Sequence, residues 1–415
     1  MTLTSRDRET LRRLAGEYME AASLPVQREK MLLWKSHNRL DRKRPMLNID
    51  QLPWNELEAA DGAALLCTVE EPFFRDIERT LRRQLYQWRH FPADMVLEPY
   101  LSVPAAIYQS GYGLTRVEEV RRLVEGETAS SHRYLNQIRE LEDIEKIRDI
   151  HVTADAEESR RRLDAAAEAF GADIPLRLSR GLQFHLGVWD RLSEYMGVET
   201  CYIEMLDRPE LIHAAMRRLT DSTLNGIREA NALAVHADDV SVCHCSYIYT
   251  DELLPDFGAG KGSVSKNCWS FGLAQLFSSV SPAMFEEFEL PYIAEMAEPF
   301  GMIYYGCCDR LDDRLDLVAR IPHVKKVSCS PWSRREEFAE KLDKTLVMSN
   351  KPSPALLAVD SFDEAAVRAD LRRTIECAER NGIALEMILK DVSTVRFDPR
   401  RLEAWSRIAL EEAGA

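Results

Sequence analysis

Gly301-Met302-Ile303-Tyr304-Tyr305-Gly306-Cys307-Cys308-Asp309 is a short apolar and aromatic run that stops on a glycine and two adjacent cysteines. Charged sequence with helical spacing follows over 311–320, so the stretch reads as a buried strand handing over to a helix. In a parallel α/β architecture the carboxyl end of a strand opens onto the ligand crevice. Two soft thiols at such a place suit a metal or a sulfur-reactive substrate. The plainer alternative is packing, because a buried cysteine is also a common small hydrophobe.

Outward from this strand, similar short apolar runs recur in both directions. Toward the N-terminus they lie at 44–50, 95–103, 175–180 and 240–246, and toward the C-terminus at 324–331, 345–352 and 385–391. With the 301–309 stretch they make eight strands alternating with helical segments, which predicts an α/β fold of the (β/α)8 or TIM-barrel type. Residues 5–40 are rich in Arg, Glu, Leu and Ala, so 1–43 is expected as an N-terminal helical arm and 44–415 as the barrel. The Arg- and Glu-dense sequence over 116–170, with periodic Leu, Ile and Ala, predicts a helical insertion at about 105–172.

Composition bounds the possible functions. The chain of 415 residues is 45% hydrophobic, 8% aromatic and 30% charged, an ordinary globular composition without an apolar run long enough to cross a bilayer. The charged N-terminus lacks the apolar centre of an export signal, so a cytoplasmic protein is expected. Nine cysteines make an odd-numbered, poor disulfide framework and are expected as free thiols or ligands. A net charge of −15 argues against a nucleic-acid partner. A small-molecule substrate, no membrane, and a monomer or homodimer are the corresponding expectations.

Chemistry should sit where the strands stop. Those ends carry Asp50, Glu98, Ser179 with Arg180, Cys243-His244-Cys245, Cys307-Cys308, Cys329, Asn350 with Lys351, and Lys390 with Asp391. If all are barrel-strand ends, Asp50, Arg180, His244, Cys307, Asn350 and Asp391 should line one pocket. Neither a CxxC pair nor an HExxH helix is present, so a metal would have to be assembled from neighbouring strands. The preferred set is His244, Cys307 and Cys308, with Cys245 as a substitute. Each residue also has a bland role: His244 as a hydrogen-bonded structural residue, Asp50 as a turn cap, Arg180 as an ion-pair partner, Lys351 as a solvated side chain.

The run Phe277-Ser278-Ser279-Val280-Ser281-Pro282-Ala283-Met284-Phe285-Glu286-Glu287-Phe288-Glu289-Leu290-Pro291-Tyr292 resembles a stretch of the uroporphyrinogen decarboxylase superfamily. Ser349-Asn350-Lys351-Pro352-Ser353-Pro354 occupies the place of that family's turn after strand seven. Leu206-Asp207-Arg208-Pro209-Glu210-Leu211, with His213 in register, resembles its helix start. The resemblance covers about 170–410 well and implies a barrel. The true decarboxylases carry an Arg-rich loop after strand one, where this chain reads Asn48-Ile49-Asp50-Gln51-Leu52-Pro53-Trp54. The corrinoid-dependent methyltransferase branch carries zinc on an H-x-C-G strand end, and Tyr305-Gly306-Cys307-Cys308 is similar to it at Cys307.

The resemblance therefore implies a methyltransferase moving a methyl group between a corrinoid (cobalamin), free or carried by a corrinoid protein, and a thiol or folate, with zinc at Cys307 and its neighbours. In that reading Asp50 and Asp391 orient or deprotonate groups, and Trp54, Arg180, Asn350, Lys351 and Lys390 bind substrate. The alternative is a metal-free decarboxylase or lyase, in which an acid such as Asp391 protonates a carbanion-like centre while Arg180 and Lys351 hold carboxylates.

Overall fold

The computed structural model describes residues 2–122, 130–179, 182–237, 242–253 and 263–415. Arg180, and Val240 and Ser241 of the expected fourth strand, lie outside the described residues. In chain order the strands are β1 (Met46–Ile49), β2 (Leu101–Pro104), β3 (Ile107–Gln109), β4 (Glu118–Arg122), β5 (Ser130–Tyr134), β6 (Val152–Ala154) and β7 (Leu176–Ser179). There follow β8 (Val242–Cys243), β9 (Ser246–Tyr247), β10 (Trp269–Gly272), β11 (Met302–Tyr305), β12 (Val324–Cys329), β13 (Val347–Asn350) and β14 (Ala384–Leu389).

Six of these form one all-parallel sheet in the order β1-β14-β13-β12-β11-β10. Parallel strands need crossovers, and the chain supplies helices such as Glu364–Asn381 between β13 and β14. That helix is started by the Asp363 side chain on the amides of Ala365 and Ala366, and stopped by Gly382 at φ 64°. β2 and β7 form a separate parallel pair.

Alternation along the strands sorts the sheet into two faces. One face presents Leu47, Ile303, Tyr305, Val327, Met348, Leu385, Met387 and Leu389 to the main hydrophobic core. The opposite, inner face carries Asn48, Glu386, Lys326, Ser349 and Tyr304, all buried. Glu386 and Lys326, both fully enclosed, meet at 2.7 Å, and Ser246 Oγ lies 2.6 Å from the Lys326 ammonium.

Two N-terminal helices, α1 (Ser5–Ala22) and α2 (Pro25–Asn38), occupy the expected arm. A Thr4/Asp7 capping box starts α1, and Pro25 sits in the first turn of α2. The arm is packed down: α2 lays Trp34 over Lys326 and against Tyr247, and His37 reaches Glu386 near the strand starts. No helix among the described residues is long and apolar enough to cross a membrane.

Three sequence expectations change. Among its described residues the insertion is α-helical over Ala156–Phe170; before it come the β4–β5 hairpin, the β3–β6 pair and a short 3-10 turn at Leu141–Lys146. Its Arg/Glu density marks a wet surface, and such a surface is compatible with either period. Among its described residues the expected fourth strand stays out of the six-stranded sheet, since β8 and β9 are a tight antiparallel pair with His244 at the turn, φ 56°. The place beside β11 is taken instead by β10, which lies outside the eight expected strands.

Candidate functional site

The carboxyl ends of β11 and β14 build the site. Tyr305 faces the main core and hydrogen-bonds Glu289 at 3.0 Å. Strict alternation would place Cys307 on that same side, but Gly306, at φ 92°, breaks the pleat and turns Cys307 toward the inner face. A Cβ at Gly306 would lie 2.7 Å from Leu311 Cδ1. Gly306→Ala is therefore expected to destabilise the fold by about 2 kcal/mol, from left-handed backbone strain plus the clash, and to displace Cys307. Denaturant unfolding and thiol titration of folded protein check it; unchanged values for both would contradict the assignment.

Cys307, Cys308, Lys390 and Asp391 share a cleft of about 560 Å³ with His244 and Phe271. The two sulfurs are 3.6 Å apart, and Cys308 Sγ is 3.3 Å from Asp391 Oδ2. Lys390 Nζ lies 3.1 Å from Cys307 Sγ, 3.2 Å from Asp391 Oδ2 and 3.5 Å from His244 Nε2. The Cys307 main-chain N–H is held at 2.6 Å by Asp309 Oδ1, and its carbonyl by Ser328 Oγ at 2.8 Å. Asp391, like His244, has a left-handed backbone, φ 55°. Such conformations persist where surrounding structure enforces them.

Electrostatics follow from these contacts. A hydrogen bond with Cys308 is the main cause that brings the Cys307 thiol down to about 3, helped by His244 and Lys390 and opposed by burial. Cys308 is pushed up for the matching reason. The pair thus keeps one proton, on Cys308, and leaves Cys307 as thiolate. Burial would lower His244, but Cys245 and Cys307 beside it prevail and raise it to about 9. Burial, then Asp309 and Cys307, pushes Asp190 on the cleft wall up to about 7.

Not every expected residue reaches the cleft. Asp50 closes β1 close to Lys390, His244 and Asp391, and burial raises its carboxyl; the next residue, Gln51, is the one that lines the cleft. Asn350 leaves the expected ring because alternation on β13 sends it outward to Cys329. Lys351 stays inside but below, with Nζ at 2.6 Å from both Tyr304 OH and Ser349 Oγ. Trp54 stacks under Arg83 in the helix Trp54–Ala60 and packs on the main core. Missed in the sequence were Gln183, His185 and Asp190, all on the cleft wall. Their only local signal is Gly187 opening the helix Val188–Met196, which places Asp190 in its first turn.

The group able to share one ion among the described residues is Cys307, Cys308 and Asp391, with ligand atoms within 4.8 Å of one another. Tetrahedral zinc, with bonds of about 2.3 Å to sulfur and about 2.0 Å to oxygen, would separate its ligands by about 3.8 Å for two sulfurs and about 3.5 Å for sulfur and oxygen. The observed 3.6 and 3.3 Å fit such a donor set. His244 stands outside this trio, next to the Lys390 ammonium. A second cavity of about 610 Å³, between the helix Pro72–His90 and β2, has Glu98 and Tyr100 in its wall and lacks these thiols.

Neither a family model nor a curated protein matches the chain. In three dimensions it is similar to a methyltransferase from Methanosarcina mazei, with a TM-score of 0.50 and 14% identity over 91% of this chain and 97% of that one. At that identity the likeness is one of fold: a mixed α/β architecture around a parallel sheet.

Proposed function

We propose that the protein is a methyltransferase that moves a methyl group between a corrinoid, free or carried by a partner protein, and a thiol or folate acceptor. Cys307, Cys308 and Asp391 would hold a zinc ion. The supporting observation is that trio at the strand ends, with spacings suited to one soft, open-sided metal. We also propose that the six-stranded sheet and the β2–β7 pair are parts of one (β/α)8 barrel. The parallel bridge His185↔Phe271, which ties the 182–186 segment to β10, supports this.

Zinc in such a site supplies a Lewis acid that keeps an acceptor thiol deprotonated at neutral pH. The chain's own groups do the rest. The Cys308 hydrogen bond, with His244 and the Lys390 ammonium behind it, favours Cys307 as thiolate. Asp391 offers one oxygen, and Phe271 and Leu273 supply an apolar wall that limits water. As the sulfur–methyl bond forms, the methyl–donor bond breaks with its electron pair staying on the donor, and the thiol proton leaves to solvent. The lyase alternative loses one support, since Lys351 is committed beneath Tyr304 rather than offered to a substrate carboxylate.

Protein purified without chelator should contain roughly one zinc per chain by mass spectrometry, lost in the Cys307→Ala, Cys308→Ala double variant. Methylcobalamin mixed with zinc-loaded protein and a thiol should show the absorbance change of cobalt losing its methyl group. Metal-free protein that remains active would overturn the reading.

A further inference from the structure

Nearly every charge in the cleft already has a partner. Lys390 lies against Cys307 and Asp391, Asp391 against Cys308 and Lys390, and the Arg191 guanidinium turns to Glu194 at 2.8 Å. Asp190 is different. Its carboxylate lines the cleft, yet no described side chain donates a hydrogen bond to it or forms an ion pair with it. The groups that act on it are Asp309, Glu289, Glu194 and Cys307, with Arg191 the cation that acts on it most. Asp309 is buried and committed by one oxygen to the Cys307 amide, while its other oxygen has no partner.

A carboxyl buried among other acids ionises only at a cost, which an arriving cation removes. Lys390 and His244 stand by Cys307. The cleft therefore has a cationic group, a soft centre and a carboxyl without a counter-charge. The amide of Gln183 on the same wall, whose Nε2 also lacks a partner, adds polarity without neutralising the charge.

Resting on the methyl-transfer reading, we propose that the acceptor is an aminothiol, with its ammonium on the Asp190 carboxylate and its sulfur toward Cys307, Cys308 and Asp391. A neutral thiol would leave Asp190 unpaired, and a carboxylate-bearing thiol would meet repulsion there. Asp190 is thus a specificity residue that selects the acceptor by charge.

The methylated products of three simple thiols test this without metal or methyl donor: 2-(methylthio)ethylamine, 2-(methylthio)ethanol and 3-(methylthio)propionate, titrated calorimetrically into the full chain. The amine should bind at least about tenfold more tightly than the alcohol, and the carboxylate most weakly, a spread typical of one charge pair in a partly desolvated site. In Asp190→Asn the amine and alcohol should bind within about twofold of each other, with binding of the alcohol retained as the check on folding. Equal binding of amine and alcohol to the wild type, no binding of any of the three, or an amine preference that survives Asp190→Asn would overturn the proposal. The ranking on the wild type stands even if the variant does not fold. Should the ranking hold while zinc and methyl loss from methylcobalamin fail, the subsite stands and the methyl-transfer reading falls; the reverse pattern removes the subsite alone.

Discussion

On the proposed zinc-assisted methyl-transfer reading, Cys307→Ala is expected to abolish zinc binding and to lower methyl transfer on the order of a thousandfold, the scale of loss when a group at the reacting centre is deleted. The substitution removes the thiolate beside Lys390 and one corner of the trio with Cys308 and Asp391. It also leaves the Lys390 ammonium, 2% exposed, with Asp391 as its remaining anionic contact. Cys329→Ala is the control. That thiol is buried too, but it sits on the outer face of β12, in the main core beside Asn350. It should cost stability and leave zinc content and rate within about twofold of wild type. Metal analysis and the methylcobalamin assay on both variants decide; a Cys307→Ala protein that keeps its zinc and its rate would end the metal-site assignment.

Glu386→Ala should destabilise the fold by about 3–5 kcal/mol, because it strands a buried ammonium. Lys326 is fully enclosed, with Glu386 at 2.7 Å as its carboxylate partner and Ser246 Oγ and the Tyr247 carbonyl as its other contacts. Replacing both members together, Lys326→Met with Glu386→Leu, should recover most of the loss, since an apolar pair of similar volume avoids desolvating two charges. Denaturant midpoints of the three proteins measure this, and a single variant no less stable than the double one would contradict it. The acid limb carries the same information. Despite its burial, Glu386 is held below its ordinary 4.5, chiefly by Lys326 and then His37. A carboxyl lowered on folding contributes stability above its unfolded value, and that contribution fades as pH falls below about 4.5. The double variant should lack that part of the wild-type acid sensitivity.

Lys326 and Glu386 also explain what could be read in the sequence. The parallel strands at 46–49, 302–305, 347–350 and 384–389 are legible because their outward residues are apolar and each ends at a polar or glycine stop. β12 and β14 carry charges mid-strand, which ordinarily signal solvent, yet here they neutralise each other inside. β10 hides because Trp269-Ser270-Phe271-Gly272 holds no aliphatic or β-branched residue and sets Ser and Gly beside its two aromatics, a composition that reads as a loop. At the site, Cys307, Cys308, Lys390 and Asp391 were accessible as strand ends. Asn350 was misplaced because being at a strand end does not say which face the side chain takes. Asp190 is hidden for another reason: the first turn of its helix joins the cleft through packing and one parallel bridge between His185 and Phe271, and Gly187 is the one local mark of it.

The pairing of β1 with β14 joins Met46 to Glu386, and α2 brings His37 to that same carboxylate. The first strand made during synthesis thus waits for the last one. Until residue 386 has left the ribosome, His37 and Met46 lack their β14 partner, and Lys326 lacks its counter-charge. Contacts of such long sequence separation slow folding and lengthen the time during which apolar surface is exposed. The sheet that aligns Cys307 with Asp391 is therefore a late product of synthesis, and nascent chains stalled before β14 would present a sticky, unbalanced inner face to chaperones.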